Sequence, residues 1–144
     1  MIPVFKHYPL LREKLPYLSL GEFPTPIEKL ERLGKDMRAN QLFIKRDDLS
    51  GKFYGGNKIR KLEFILGDAL RKNVKEVLTF GFAGSNHAIA TAIYAKQVGL
   101  KSISMLMPQP NARYVRKNLL MSHYCGAELH QHRNISSIAK GTIY

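Results

Sequence analysis

From residue 76 to residue 132 the chain alternates two kinds of apolar pattern, and that alternation is its tightest constraint. Residues 76–81 form a short run rich in strand-favouring side chains, Val77, Leu78, Thr79 and Phe80. Gly81-Phe82-Ala83-Gly84 turns, and Ser85 is placed to cap a helix running to about Val98. That helix is apolar nearly all round, through Ala88, Ile89, Ala90, Ala92, Ile93, Ala95 and Val98, as a helix packed closely on a sheet must be. Gly99 ends it. Residues 101–107 alternate as a strand stopped by Pro108. A helix over about 112–124 turns Ala112, Val115, Leu119 and Leu120 inward and ends before Gly126, and residues 127–132 read as another strand. Strand–helix–strand–helix–strand at these lengths requires right-handed parallel crossovers, so the fold class is α/β with a parallel sheet.

Ligands of parallel sheets bind beyond the carboxyl ends of strands, where helices begin, and residues 81–87 occupy that place. A helix start capped by Ser85 offers free N–H groups to an anion such as a substrate carboxylate. On local grounds Ser85 is equally an ordinary cap and Asn86 a turn residue.

A second helix start lies upstream. Gly55-Gly56 permits close approach and unusual torsions, Asn57 is placed as an N-cap, and Lys58 takes the first helical position. The positive end of the helix dipole disfavours an ammonium there, and Arg60 and Lys61 add like charge. Both effects favour the neutral amine that Schiff-base chemistry uses; the alternative is a surface lysine in a basic turn. The helix, over about 57–73, carries Ile59, Leu62, Leu66, Ala69 and Leu70 on one face, widened by Phe64 and Ile65. Lys61 lies one turn beyond Lys58 on the same face, where it reaches a phosphate held near Lys58 or simply snorkels. Two rival motifs fail. In the near-P-loop from Gly51, Asn57 stands in the lysine's place and Lys58 in that of the magnesium-binding Ser/Thr, and residues 81–84 do not spell the dinucleotide fingerprint.

The first 50 residues are less patterned. Residues 1–20 read as irregular with one short helix near 9–14, and Pro24-Thr25-Pro26 as a rigid turn. Residues 27–33 begin as a strand and end in a loop at Gly34, and residues 41–46 form a short strand. Asp47-Asp48 closes that strand by holding nearby cations and backbone amides.

At 144 residues and 44% hydrophobic, the chain is ordered and large enough for a real core. No apolar run approaches a membrane span, no secretory signal opens the chain, and the lone Cys125 allows no internal disulfide, which fits a cytoplasmic protein. The net charge of +12 invites a nucleic-acid reading. The basic residues, however, cluster at helix ends such as Arg71-Lys72 and Arg116-Lys117 without interleaved aromatics, so a nucleic-acid partner is not expected. A positive field also suits a phosphate-bearing cofactor and a carboxylate substrate. The histidines are scattered; His130 and His132 share a strand face without a third ligand, and no metal site is expected.

Four blocks in order carry a resemblance: Lys45-Arg46-Asp47-Asp48-Leu49, Gly55-Gly56-Asn57-Lys58, Arg60-Lys61-Leu62-Glu63 and Gly84-Ser85-Asn86-His87. Together they resemble the pyridoxal-phosphate enzymes that include D-cysteine desulfhydrase and 1-aminocyclopropane-1-carboxylate deaminase, over about residues 20–125. The resemblance implies a fold-type II, tryptophan synthase β-like enzyme with three-layer parallel sheets. Residues 1–72 then belong to the large cofactor domain and 73–144 to the start of the small one. It implies pyridoxal 5'-phosphate held covalently by Lys58, with Lys61 and Asn86 as cofactor ligands and Asn86 on the phenolic oxygen. Ser85 is implied in catalysis and, with Asn86 and His87, in binding a small amino-acid substrate; His87 alternatively only packs. The implied reaction is β-elimination or deamination to a keto acid and ammonia, by a homodimer when full length. As the N-terminal part of that fold, this chain is expected not to turn over alone. The resemblance departs at Gly84, where deaminase-like members commonly carry glutamine. A racemase or ammonia-lyase on the same fold, or a basic anion-binding module without turnover, are the competing readings.

Overall fold

The computed structural model describes residues 2–142; Met1, Ile143 and Tyr144 lie outside it. The alternation after residue 75 is realised as β3 (Glu76–Phe82), α5 (Asn86–Gln97), β4 (Lys101–Met107), α6 (Arg113–Tyr124) and β5 (Glu128–Gln131), preceded in order by the elements given below. The three strands form one parallel sheet in the order β3-β4-β5, with Val77 opposite Ser102, Thr79 opposite Ser104 and Met105 opposite His130. Val77 packs against the core, so Thr79, Ser102 and Ser104, all buried, share the face beneath α5. These small side chains let an alanine-rich helix approach closely. On the opposite face Leu78, Phe80 and Phe82 remain exposed, Phe80 to 50%.

The core sits between α5 and α4 (Lys58–Arg71). Ile59, Leu62, Leu66 and Ala69 of α4 meet Ala90, Tyr94 and Ala95 of α5, with Leu100 closing one end. Burying each large aliphatic side chain stabilises by roughly 1.5–3 kcal/mol, whereas an N-cap contributes only ~1 kcal/mol. Packing, not capping, therefore sets where α4 lies. Asn57 makes no side-chain capping bond, contrary to the sequence expectation. The apolar stripe is also narrower than expected, for Ile65 and Leu70 are exposed. In their stead Glu63, 3% exposed, turns inward and accepts from the backbone N–H groups of Leu20 (3.0 Å) and Gly21 (3.1 Å). That carboxylate fastens the 18–21 segment to α4.

Near the N-terminus α1 (Pro3–His7) and α2 (Leu11–Lys14) make two short helices where one was expected. Pro24-Thr25-Pro26, bounded by a cis Phe23–Pro24 bond, leads into β1 (Ile27–Lys29), which pairs antiparallel with β2 (Phe43–Lys45). Between them lies α3 (Glu31–Asp36), which corrects the expected loop at Gly34. That glycine does not stop the chain. It lets Ala39 close the helix by donating to Gly34 O at 2.7 Å, and a Cβ there would stand 2.8 Å from Ala39 O. On α6, Val115 is buried but Leu120 is 69% exposed; Asn118 and Ser122 point inward in its place. A last helix, α7 (Ile135–Thr142), left unassigned by the sequence pattern, buries Ile138.

Asp47 and Asp48 do hold cations. Asp47 pairs with Arg60 at 2.7 Å, and Asp48 and Glu28 grip Arg46 at 2.8 Å each. They sit in a 3-10 turn, Asp47–Leu49, that leads into the glycine loop. Fully buried Ser50 latches this loop: its hydroxyl donates to Asp47 O (2.7 Å) and accepts from Gly56 N (3.0 Å). The two glycines answer separate needs. Gly56 has φ of +111°, and a Cβ on Gly55 would lie 1.8 Å from Asp48 O. Gly55→Ala must displace backbone, and we expect it to lower unfolding free energy by about 2–3 kcal/mol in urea titrations, with Ser50→Ala costing about 0.5–1.5 kcal/mol, because Gly56 N keeps a second acceptor in Asp47 O.

Candidate active site

The glycine loop and the turn after β3 face each other across the α4–α5 packing. Lys58 is the first residue of α4 and half-buried; Lys61, one turn on, is exposed. Among the described residues neither has a carboxylate partner. Arg60, by contrast, points away to Asp47 and lies 4.2 Å over the Phe23 ring. Its guanidinium holds the Asp47 carboxyl below the ordinary carboxylate value. The unneutralised positive charge on this helix start is therefore that of Lys58 and Lys61.

On the other side Ser85 caps α5, its Oγ accepting from Ala88 N at 3.2 Å. Capping uses a lone pair and leaves the hydroxyl hydrogen available. The N–H groups of Asn86 and His87, in the first turn, have no intrahelical acceptor. Asn86 Oδ1 accepts from the Tyr54 hydroxyl at 3.0 Å and from Asn118 Nδ2 at 3.0 Å. Tyr54 belongs to the loop before Lys58, so this hydrogen bond joins the two halves directly. Burial pushes the Tyr54 phenol up, keeping it a donor at neutral pH, and its carbonyl is held by the Tyr94 hydroxyl at 2.7 Å.

Among the described residues His87 Nδ1 is buried without a hydrogen-bond partner. Burial chiefly, and the charges of Lys58 and Lys61 after it, lower the imidazole below its ordinary value of 6.5. The structure thus brings Lys58, Lys61, Asn86 and His87 to one place. Sequence reasoning missed three supports: Ser50, Tyr54 and Asn118. A serine five residues before two glycines was the one available signal; the other two are joined to Asn86 across 32 residues each, beyond any local pattern.

Gly84 has its own packing reason. A Cβ there would lie 2.8 Å from Tyr114 Cε2 and 2.9 Å from Val115 Cγ2, and its N–H donates to Gln109 Oε1 at 2.9 Å. A cavity of about 420 Å³ opens beside this turn, at the carboxyl ends of β4 and β5, lined by Leu106, Met107, Gln109, Arg116 and His130 among others.

A loop-to-helix lysine that pairs with no carboxylate among the described residues faces a second helix start bearing a fixed amide, an arrangement suited to an anion. Residues 18–141 match the family of pyridoxal-phosphate dependent enzymes, and the chain belongs to it. It is 38% identical over 135 residues to the 1-aminocyclopropane-1-carboxylate deaminase of Bradyrhizobium diazoefficiens, covering 90% of this chain and 37% of that protein. It is 43% identical over 93 residues to the D-cysteine desulfhydrase of Salmonella paratyphi B, covering 65% of this chain and 28% of the relative. The crystal structure of an ACC deaminase homologue superposes with a TM-score of 0.81 at 37% identity, over 99% of this chain and 42% of that one. The chain thus spans about a third of the length of the curated relatives it matches. No helix among the described residues is long and apolar enough to cross a membrane.

The lowered imidazole gives a pH signature. The unfolded chain binds a proton on His87 before the folded one does, so stability is full above 6.5 and falls as pH drops from 6.5 through the folded value. Thermal unfolding of His87→Asn should lose less stability than the parent over that acidic window, and equal losses would show that His87 is not the group responsible.

Proposed function

We propose that these residues form the lysine-bearing half of a pyridoxal-phosphate dependent lyase or deaminase acting on a small amino acid and releasing a keto acid and ammonia. The observation that carries this reading is the Tyr54–Asn86 hydrogen bond, which holds the Lys58 helix start against a fixed amide from a different sequence block. The residues suit the cofactor. Among the described residues Lys58 offers an amine without a counter-ion, Lys61 a second basic group for a phosphate, and Asn86 an NH₂ group with no partner of its own for a phenolic oxygen. In this division residues 1–72 bring the lysine and residues 73–144 the facing helix start.

Pyridoxal phosphate, when bound, supplies the electron sink for bond breaking at the substrate's α-carbon. The chain's residues do the rest. Lys58 Nζ would hold the cofactor and, as a free amine, would move a proton to or from a substrate carbon. With its imidazole held below its ordinary value, chiefly by burial, His87 favours the neutral form at this helix start. Ser85 Oγ–H and the N–H groups of Asn86 and His87 hold the substrate carboxylate at the helix start. Both relatives' reactions begin with a small amino acid, which supports that substrate class.

Borohydride reduction of the full-length protein loaded with pyridoxal phosphate should fix the label on the peptide containing Lys58; label on Lys52 or Lys61 alone would defeat the assignment. Ser85→Ala should leave cofactor binding near the parent value and slow keto-acid release from D-cysteine or 1-aminocyclopropane-1-carboxylate by on the order of a hundredfold. Turnover at the parent rate would reduce Ser85 to a cap. The 144 residues alone, lacking most of the length over which relatives build their sites, are proposed to bind the cofactor without turnover.

A further inference from the structure

The orientation of the Asn86 amide follows from one backbone carbonyl. Gly84 C=O can only accept, and it takes its hydrogen bond from Asn118 Nδ2 at 2.9 Å. Asn118 must therefore present its NH₂ group at this corner, not its oxygen. The second hydrogen of that NH₂ goes to Asn86 at 3.0 Å, so Asn86 must answer with Oδ1. The Tyr54 hydroxyl donates to the same oxygen at 3.0 Å. A carboxamide whose oxygen is held by two donors turns its NH₂ the other way. Asn118 is 7% exposed on α6, where Leu120 faces solvent, so the fold spends an inward helical position on this polar group. An interior asparagine without such partners would be costly, and this one has both hydrogens satisfied.

We propose that Asn118 is a positioning residue: by donating at once to Gly84 O and Asn86 Oδ1, it fixes Asn86 as a hydrogen-bond donor on its exposed side, with Tyr54 as a second, weaker constraint. The proposal rests on the reading above that Asn86 meets the cofactor's phenolic oxygen. A donor there stabilises the deprotonated oxygen, whereas an outward Oδ1 would favour the protonated one. The polarity of the cofactor's surroundings would thus be dictated by a residue that does not touch it.

The test uses the full-length protein loaded with pyridoxal phosphate and reads the pH titration of the bound cofactor's absorption, with cofactor affinity by fluorescence. Asn86→Ala should raise the apparent pKa and weaken binding by roughly tenfold or more. Asn118→Asp places an acceptor at the corner, drawing the Asn86 NH₂ inward, and should raise the pKa at least as far as Asn86→Ala. Asn118→Leu, which frees Asn86 to take either orientation, should fall between, and Tyr54→Phe should change least. If Asn86→Ala shifts the titration but Asn118→Asp and Asn118→Leu shift it equally, Asn118 only packs, and the proposal fails. If Asn86→Ala shifts nothing, the contact assigned to Asn86 is wrong. A measurement that needs no variant guards against misfolding. With ¹⁵N-labelled asparagine, the Asn118 side-chain hydrogens should exchange slowly with or without cofactor. Those of Asn86 should exchange rapidly until pyridoxal phosphate is added. The reverse pattern would overturn the proposal.

Discussion

The packing of α4 against α5 is the constraint on which the rest depends. Leu62 and Leu66 meet Ala90, Tyr94 and Ala95 in a core that also takes up Leu18, Leu20 and Phe23 from the N-terminal segment. The small residues of α5 let the two helix axes come close, and the starts of both helices come close with them. Buried apolar area outweighs every polar contact here in free energy, but the polar contacts decide what the helix starts present. Tyr94 serves both roles: its ring lies in the core, and its hydroxyl holds the Tyr54 carbonyl beside the lysine.

Charge is distributed with the same economy. The Asp47-Asp48 pair, Glu28 and Thr25 engage Lys45, Arg46 and Arg60, basic residues that flank the glycine loop. Arg60, two residues after Lys58, therefore adds little positive charge to its surroundings, because it is paired with Asp47. The first helical turn stays attractive to an anion because the acids upstream are already occupied.

The alternation from Glu76 to Gln131 was legible because each strand and helix there buries a face whose period the sequence must keep. The same reasoning found Ile59, Leu62 and Leu66, and it placed Ser85 correctly as a cap. It failed where a polar side chain points inward. Glu63 and Asn118 took places that hydrophobicity would give to Ile65 or Leu70 and to Leu120, because backbone groups far away in sequence need partners. It failed also at Asn57, whose residue type suits a cap but whose helix is set in place by its apolar face. The naming of Lys58, Asn86 and Ser85 came from motif resemblance; what holds Asn86 in place could be seen only once residues 54, 86 and 118 were brought together.

The space left by Gly84 has a further consequence. The Gln109 side chain enters it from the segment between β4 and α6, bonding the glycine N–H and reaching Tyr114 with its amide nitrogen. An amide therefore does stand at the mouth of this turn, but it belongs to a residue 25 positions later in the chain. The rigid part that shapes the turn and the group that decorates it are separately encoded. Connecting segments accept substitution and changes of length more readily than the strand-to-helix turn they border. The chemistry displayed at this corner can thus be altered by editing the β4–α6 connection, while the turn that carries Ser85 and Asn86 keeps its shape.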